Sequence, residues 1–361
     1  MPRVTPLPPR PDALSLGPDR AVLLGELVGR GSCSVVYRGT MEGAYRMRRP
    51  VAVKIFDPLA SEERDQVVSG LARATRHAAC VRHPNVASPE EFVLASPNQP
   101  AVLSEWIDGV SLERFIEAHA QLGERMTTSL ALFIALEVAE GLAGARDAFT
   151  ADGVRLNMGH HSLSAREVML SRQGEVKITD FGISLAMRPA SAVLHLRAFA
   201  KRVSPMSPEV ARGSRGDARS DVFSLGMLLR EMLVGPRFAP GSRDSDVLEM
   251  LRDGAFHSSP LERPLHESIA PILRRAIEIE PRLRYPHAGL LANDLRRAIA
   301  MMGVGDERTF LRRAIENRFG SHGLDDDDTE DFDKCGSGAR RSLPQSELAL
   351  LRDDDFDVDM E

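Results

Sequence analysis

The chain has 361 residues, 43% of them apolar, enough to build a sizeable core and too apolar for a disordered polymer. Its formal charge of −6 hides an asymmetry: residues 323–361 carry 14 acidic against 4 basic side chains, so residues 1–322 stand near +4 and offer no basic surface for nucleic acid. Three scattered cysteines without paired spacing exclude a disulfide scaffold and a zinc site.

Residues 1–20 contain six prolines and read as an extended linker with no apolar signal core. From Ala21 to Ile55, runs of Val, Leu and Tyr punctuated by glycine predict strands joined by hairpins. Residues 61–80 read as a helix, opened by Ser61 with Glu62 and Glu63 in its first turn, and His83-Pro84-Asn85 ends it. Residues 92–107 hold two strand-like runs around a turn. Past Asp108-Gly109 helical spacing takes over, at 111–120, 129–148, 219–234, 244–253, 269–279 and 287–302. Short β-like runs at 168–170 and 176–178 interrupt it, and a last helix spans about 306–318. The most apolar stretch, 130–145, is broken by Glu137 and Glu140, so the expectation is no membrane span and a cytoplasmic protein. The tail from residue 323 reads as solvated and disordered, and its aspartate run lacks the spacing of a calcium loop.

Only four lysines occur, Lys54, Lys177, Lys201 and Lys334, against 42 arginines. A lysine is a compact point charge and an arginine a wide fork, so a lysine in a special setting is informative here. Lys54 ends Val51-Ala52-Val53-Lys54, an apolar strand in which a charge needs an anion. Upstream, Gly29-Arg30-Gly31-Ser32-Cys33-Ser34 lets backbone N–H groups approach phosphates. Downstream, Asp180-Phe181-Gly182 ends a β-run and presents a carboxylate suited to a metal–phosphate complex. Pro208-Glu209, Asp221 and Pro281-Arg282-Leu283-Arg284 follow.

In this order, these segments resemble the bacterial members of the eukaryotic-type (Hanks-type) serine/threonine protein-kinase family over about residues 21–302. The resemblance implies an α+β bilobal fold: a small β-rich lobe at 21–107, a larger helical lobe at 108–302, a C-terminal helix within 303–322, and the acidic tail at 323–361. It also implies ATP and Mg²⁺ as cofactors. Gly29, Gly31 and Lys54 would hold the phosphates. Val36, Ala52 and Met169 would sandwich the adenine, Glu105 and Ile107 would form the hinge beside Ser104, and Asp180 would bind the metal. Glu209 with Arg284, and Asp221 below the catalytic loop, would be architectural.

The catalytic loop departs from the family. Its pattern falls on His160-His161-Ser162-Leu163-Ser164-Ala165-Arg166-Glu167. Ser162 stands where the catalytic Asp belongs, and Ser164 replaces the loop lysine. Glu167 replaces the Asn that holds a second metal and reads either as a metal ligand or as a solvent-facing carboxylate. Ala74 replaces the helix glutamate that pairs with the phosphate-binding lysine, which leaves Lys54 either to pair with Asp180 or to wait for nucleotide. The expectation is a pseudokinase that binds ATP weakly and partners another signalling protein, such as an active kinase. An active kinase with an atypical loop and a nucleotide-free scaffold are the alternatives.

Overall fold

Alternation along one strand sets the plan of the small lobe. The computed structural model describes residues 13–17, 20–31, 33–43, 45, 47–59, 64–187, 205–235, 244–253, 266–303 and 305–320. In it, Arg48–Phe56 (β4) buries Val51, Val53 and Ile55 and turns Ala52 and Lys54 to the opposite face. With Ala13–Ser15 (β1), Ala21–Arg30 (β2), Ser34–Glu42 (β3), Pro89–Ser96 (β5) and Gln99–Glu105 (β6) it forms an antiparallel sheet of order β1-β2-β3-β4-β6-β5. Val22, Tyr37, Val51, Val53 and Leu103 fill its core. One helix, Arg64–Ala78 (α1), lays Val67 and Leu71 against Phe56 and Val102. The expected helix start at residues 61–63, most of the Pro-rich segment and the acidic tail lie outside the described residues.

The large lobe is built on Thr128–Asp147 (α3), capped by Thr127 Oγ1, which accepts from Leu130 N at 3.3 Å. With a mean hydropathy of 1.5, α3 is long and apolar enough to cross a membrane by length and composition. Here it is the central core helix: Leu130, Ala131, Ile134, Ala135 and Val138 are all buried. The lobe also contains Leu112–Gln121 (α2), Ala218–Val234 (α6), Ala270–Ala276 (α8) and Ala288–Met301 (α9) in the same core, Pro208–Ala211 (α5) and Asp244–Asp253 (α7) in a second cluster, and Ile183–Ala186 (α4), which packs against α1. A second antiparallel sheet, Gly109–Ser111 (β7), Val168–Ser171 (β8) and Val176–Ile178 (β9), lies where the two lobes meet. The architecture is thus the expected α+β one, a β-sheet lobe followed by a helical lobe.

Two features tie these parts together. Asn85, between α1 and β5, donates from Nδ2 to Glu137 on α3 at 2.6 Å and to the Val176 carbonyl at 2.9 Å. Backbone bonds Ala87 N→Ile178 O and Ile178 N→Asn85 O, both 2.8 Å, extend the connection to β9. At the far end, Glu307–Phe319 (α10) buries Leu311 and Ile315 in the large-lobe core. Phe319 packs 6.4 Å from Phe115 of α2, and Arg308 pairs with Glu175 at 3.2 Å. Gly174, in the β8–β9 turn at φ +77°, lies so close under α10 that a Cβ there would collide with the Arg308 carbonyl.

Candidate functional site

Lys54 reaches the cleft because β4 alternates. It lies opposite Val36 on β3 and Val102 on β6, and its ammonium forms an ion pair with Asp180. Both side chains are mostly shielded, 15% and 23% exposed. Asp180 takes φ +65°, an uncommon conformation for a residue with a Cβ, as the chain leaves β9. The reason for the direct pairing lies on α1. Ala74 faces this turn: a Cβ on Gly182 would sit 3.4 Å from the Ala74 methyl. The one acidic residue of α1, Asp65, is nine residues away, about 13 Å along the helix. Lys54 therefore has Asp180 as its carboxylate, the first of the two arrangements the sequence allows.

Val36, Ala52 and Met169 are half-buried and carried by β3, β4 and β8. Gly29 pairs with Val36, and Gly31 N donates to Ser34 O at 2.7 Å to close the glycine hairpin. Ser104 pairs with Ala52 across the sheet, and behind it a cavity of about 20 Å³, room for one water, lies between Thr75, Val102, Thr179 and Phe181. Ile107 is buried. The Glu105 carboxylate is turned to Lys177 Nζ at 2.8 Å. Sequence reasoning gave Lys177 no role, although the rarity of lysine that drew notice to Lys54 applies equally to it.

The catalytic-loop segment is firmly braced. Asp221 on α6 accepts from His160 N and His161 N, each at 2.8 Å. His160 is fully buried; its Nδ1 accepts from Ser162 N at 3.4 Å, so Nε2 carries the proton and donates to Thr179 O at 2.8 Å. Its ring meets Phe181 edge-on at 4.9 Å. Both nitrogens are thus engaged in structural bonds. Ser162 is half-buried. Ser164 Oγ donates to the Glu167 carboxylate, and both residues are 3% exposed. The reading of Glu167 as a solvent-facing side chain is therefore corrected: a four-residue turn folds it inward, and its carbonyl accepts from Thr179 N at 2.8 Å. Two carboxylates, Glu167 and Asp180, flank the β8–β9 hairpin along the chain, and both are hard-oxygen donors of the type Mg²⁺ prefers.

Arg166, in the same loop, pairs with Glu113 of α2 at 2.9 Å. Nearby Glu231 of α6 has its carboxyl pushed up to about 7 by burial, reinforced by Glu113 and Glu117 and opposed by Arg230. Its protonated form is favoured in the folded chain, so stability present below about pH 4.5 should decline as the pH rises to about 7. Glu231→Gln should therefore stabilise the chain by about 2–3 kcal/mol at pH 8 and hardly at pH 4. Urea midpoints at the two pH values check this, and an equal gain at both would refute it.

Farther down, Arg284 meets Glu209 through two bonds of 2.8 Å. Its remaining donors reach the carbonyls of Glu278 (2.6 Å), Ile279 (3.0 Å) and Arg219 (3.1 Å), so all five N–H groups are used.

A family model described as "Protein tyrosine and serine/threonine kinase" matches residues 22–293. Among curated relatives, the Tyrosine-protein kinase MasK of Myxococcus xanthus is 28% identical over 310 residues, 84% of this chain and 47% of the relative. The Serine/threonine-protein kinase PknB of Mycobacterium leprae is 27% identical over 279 residues, 76% of this chain and 42% of the relative. A probable serine/threonine-protein kinase PknB of Lactococcus lactis is 27% identical over 301 residues, 82% and 44% of the respective lengths. This chain spans less than half the length of these relatives.

Proposed function

Because this chain belongs to the protein tyrosine and serine/threonine kinase family, we propose that it is a pseudokinase: a kinase domain that binds ATP weakly, fails to transfer its γ-phosphate at a useful rate, and works as a signalling partner. The observation that carries this reading is Ser162, a hydroxyl at the base position of a loop that is otherwise held in place by Asp221 and His160. The frame is intact and the chemical group is missing. A serine hydroxyl has no useful basicity near neutral pH, and general-base assistance is worth about 10²–10⁴ in rate. The neighbouring Ser164 adds no positive charge, and its hydroxyl is committed to Glu167.

The residues that would hold nucleotide are retained. Lys54 would take the phosphates, Gly29 and Gly31 would let the loop close over them, and Val36, Ala52 and Met169 would enclose the base against the hinge at Glu105 and Ile107. Asp180 and Glu167 would hold the metal, which neutralises phosphate charge in this family. Without a carboxylate at position 74, nothing on α1 competes with Asp180 for Lys54, so the nucleotide must displace an existing ion pair. That supports weak affinity. A bound nucleotide could then bias the conformation presented to a partner, such as an active kinase, by a coupling of about 1–3 kcal/mol. We place this activity in the cytoplasm.

The retained Asp180 and the substituted Glu167, both carboxylates, also favour a second reading, a slow kinase with an atypical loop. Transfer of labelled γ-phosphate from ATP, with Mg²⁺ or Mn²⁺, to the protein itself and to a generic substrate separates the two. The expected result is no signal above that of Lys54→Met. Signal lost in Lys54→Met would sink the pseudokinase reading. In parallel, millimolar ATP should raise the melting temperature of the parent, and Lys54→Met should weaken ATP binding about 10- to 100-fold. An unmoved parent would leave only the scaffold.

A further inference from the structure

The structure describes two of the four lysines, and both form ion pairs that cross between the lobes. Lys54 on β4 of the small lobe meets Asp180 beyond β9 of the large one. Lys177 on β9 meets Glu105 at the end of β6, so the second pair runs in the opposite sense. We propose that Lys177 is a positioning residue for the nucleotide site: by holding Glu105 it fixes the hinge against the strand that ends in Asp180. This inference rests on the nucleotide-binding reading above.

Topology supports it. Glu105 is the last β6 residue paired with β4, opposite Val51. The chain then passes through Trp106, Ile107 and Asp108 into β7, where Ser111 pairs with Met169 of β8, and Met169 pairs with Lys177 of β9. The Lys177–Glu105 bond closes this circuit at 2.8 Å, so the hinge is spanned both covalently and electrostatically. Met169, on the proposed adenine floor, lies inside the circuit, and Asp180 follows Lys177 by three residues. Lys54 and Asp180 are the groups a nucleotide would draw on, so of the two lysine pairs the Lys177 pair is the one that persists when the site is filled. A single ammonium on one carboxylate oxygen also accounts for lysine here in a chain that otherwise uses arginine.

With Glu105 about one-third exposed, the pair contributes little to global stability. Its effect should appear in binding. ATP affinity is to be titrated calorimetrically on the full chain for the parent, Lys177→Met, Lys177→Glu, and the swap Lys177→Glu/Glu105→Lys. Lys177→Met should weaken ATP about five- to tenfold with a melting temperature close to the parent's. Lys177→Glu sets two carboxylates together and should weaken it further, and the swap should restore affinity to within about twofold of the parent. Unchanged affinity in Lys177→Met, or a swap no better than Lys177→Glu, would overturn the positioning role while leaving nucleotide binding intact. A parent that binds no ATP would instead overturn the nucleotide reading, and this inference with it.

Discussion

Arg284→Met should lower the unfolding free energy by about 3–5 kcal/mol, seen as a large fall in the urea midpoint. The guanidinium side chain is fully buried and its five donors are all used, on Glu209 and three backbone carbonyls. Removing it leaves a largely buried carboxylate that keeps Ser220 Oγ as a side-chain donor, at 2.8 Å, and strips a donor from each carbonyl. It also removes the cation stacked 4.8 Å from the Phe223 ring. The pH dependence identifies the cause. Burial pushes the Glu209 carboxyl up, but the Arg284 guanidinium outweighs it and the net shift is downward. The parent pair therefore stabilises the fold above about pH 4.5 and loses that contribution as the pH falls through the depressed value. In Arg284→Met the upward push of burial is opposed only by the remaining hydrogen bonds, so the deficit should narrow in acid. Adding Glu209→Gln should recover part of the loss, not all, because the three carbonyls still lack their donor. A deficit below about 1 kcal/mol at pH 7 would show that the pair is ornamental.

Restoring the family's catalytic groups should create activity. Ser162→Asp with Ser164→Lys and Glu167→Asn should raise γ-phosphate transfer at least about 10²-fold above the parent. The backbone that would present the new carboxylate is already fixed, since Asp221 holds His160 and His161 and His160 holds Ser162 N. The three changes belong together: Ser164 and Glu167 are bonded to each other in a buried turn, and altering one alone breaks that shared buried bond. Background rates must be read against the same triple variant carrying Lys54→Met. A triple variant as silent as the parent would move the block to α1, where Ala74 stands in place of the family's carboxylate.

Much of this molecule could be read from its residues, and the exceptions share a physical cause. Strand alternation in Val51-Ala52-Val53-Lys54 put Lys54 on the cleft face, and the lack of a carboxylate at Ala74 made Asp180 one of two ways to satisfy it, the other being nucleotide. The positions of Glu209, Arg284 and Asp221 followed from motif order. Lys177 did not, because its partner lies 72 residues away and period-two alternation says which face a side chain takes, not what waits there. For Glu167 the residues left a metal ligand and a solvent-facing carboxylate both open, because a charged side chain is normally exposed and the Ser164 hydroxyl that permits its burial becomes a partner only once the turn forms. The seat of α10 on the large lobe was equally illegible, since amphipathic spacing gives a helix without naming the surface it covers.

That last helix separates two kinds of unit. The span matched by the family ends at residue 293, yet Leu311, Ile315 and Phe319 complete the core around α2 and α3, and Arg308 rests on the turn at Gly174. The stretch matched by the family model is therefore shorter than the stretch that folds. A recombinant domain cut at residue 293 would bare the seat of α10 and loosen the hairpin that carries Met169, Lys177 and the approach to Asp180. One cut after Gly320 would keep the described fold whole.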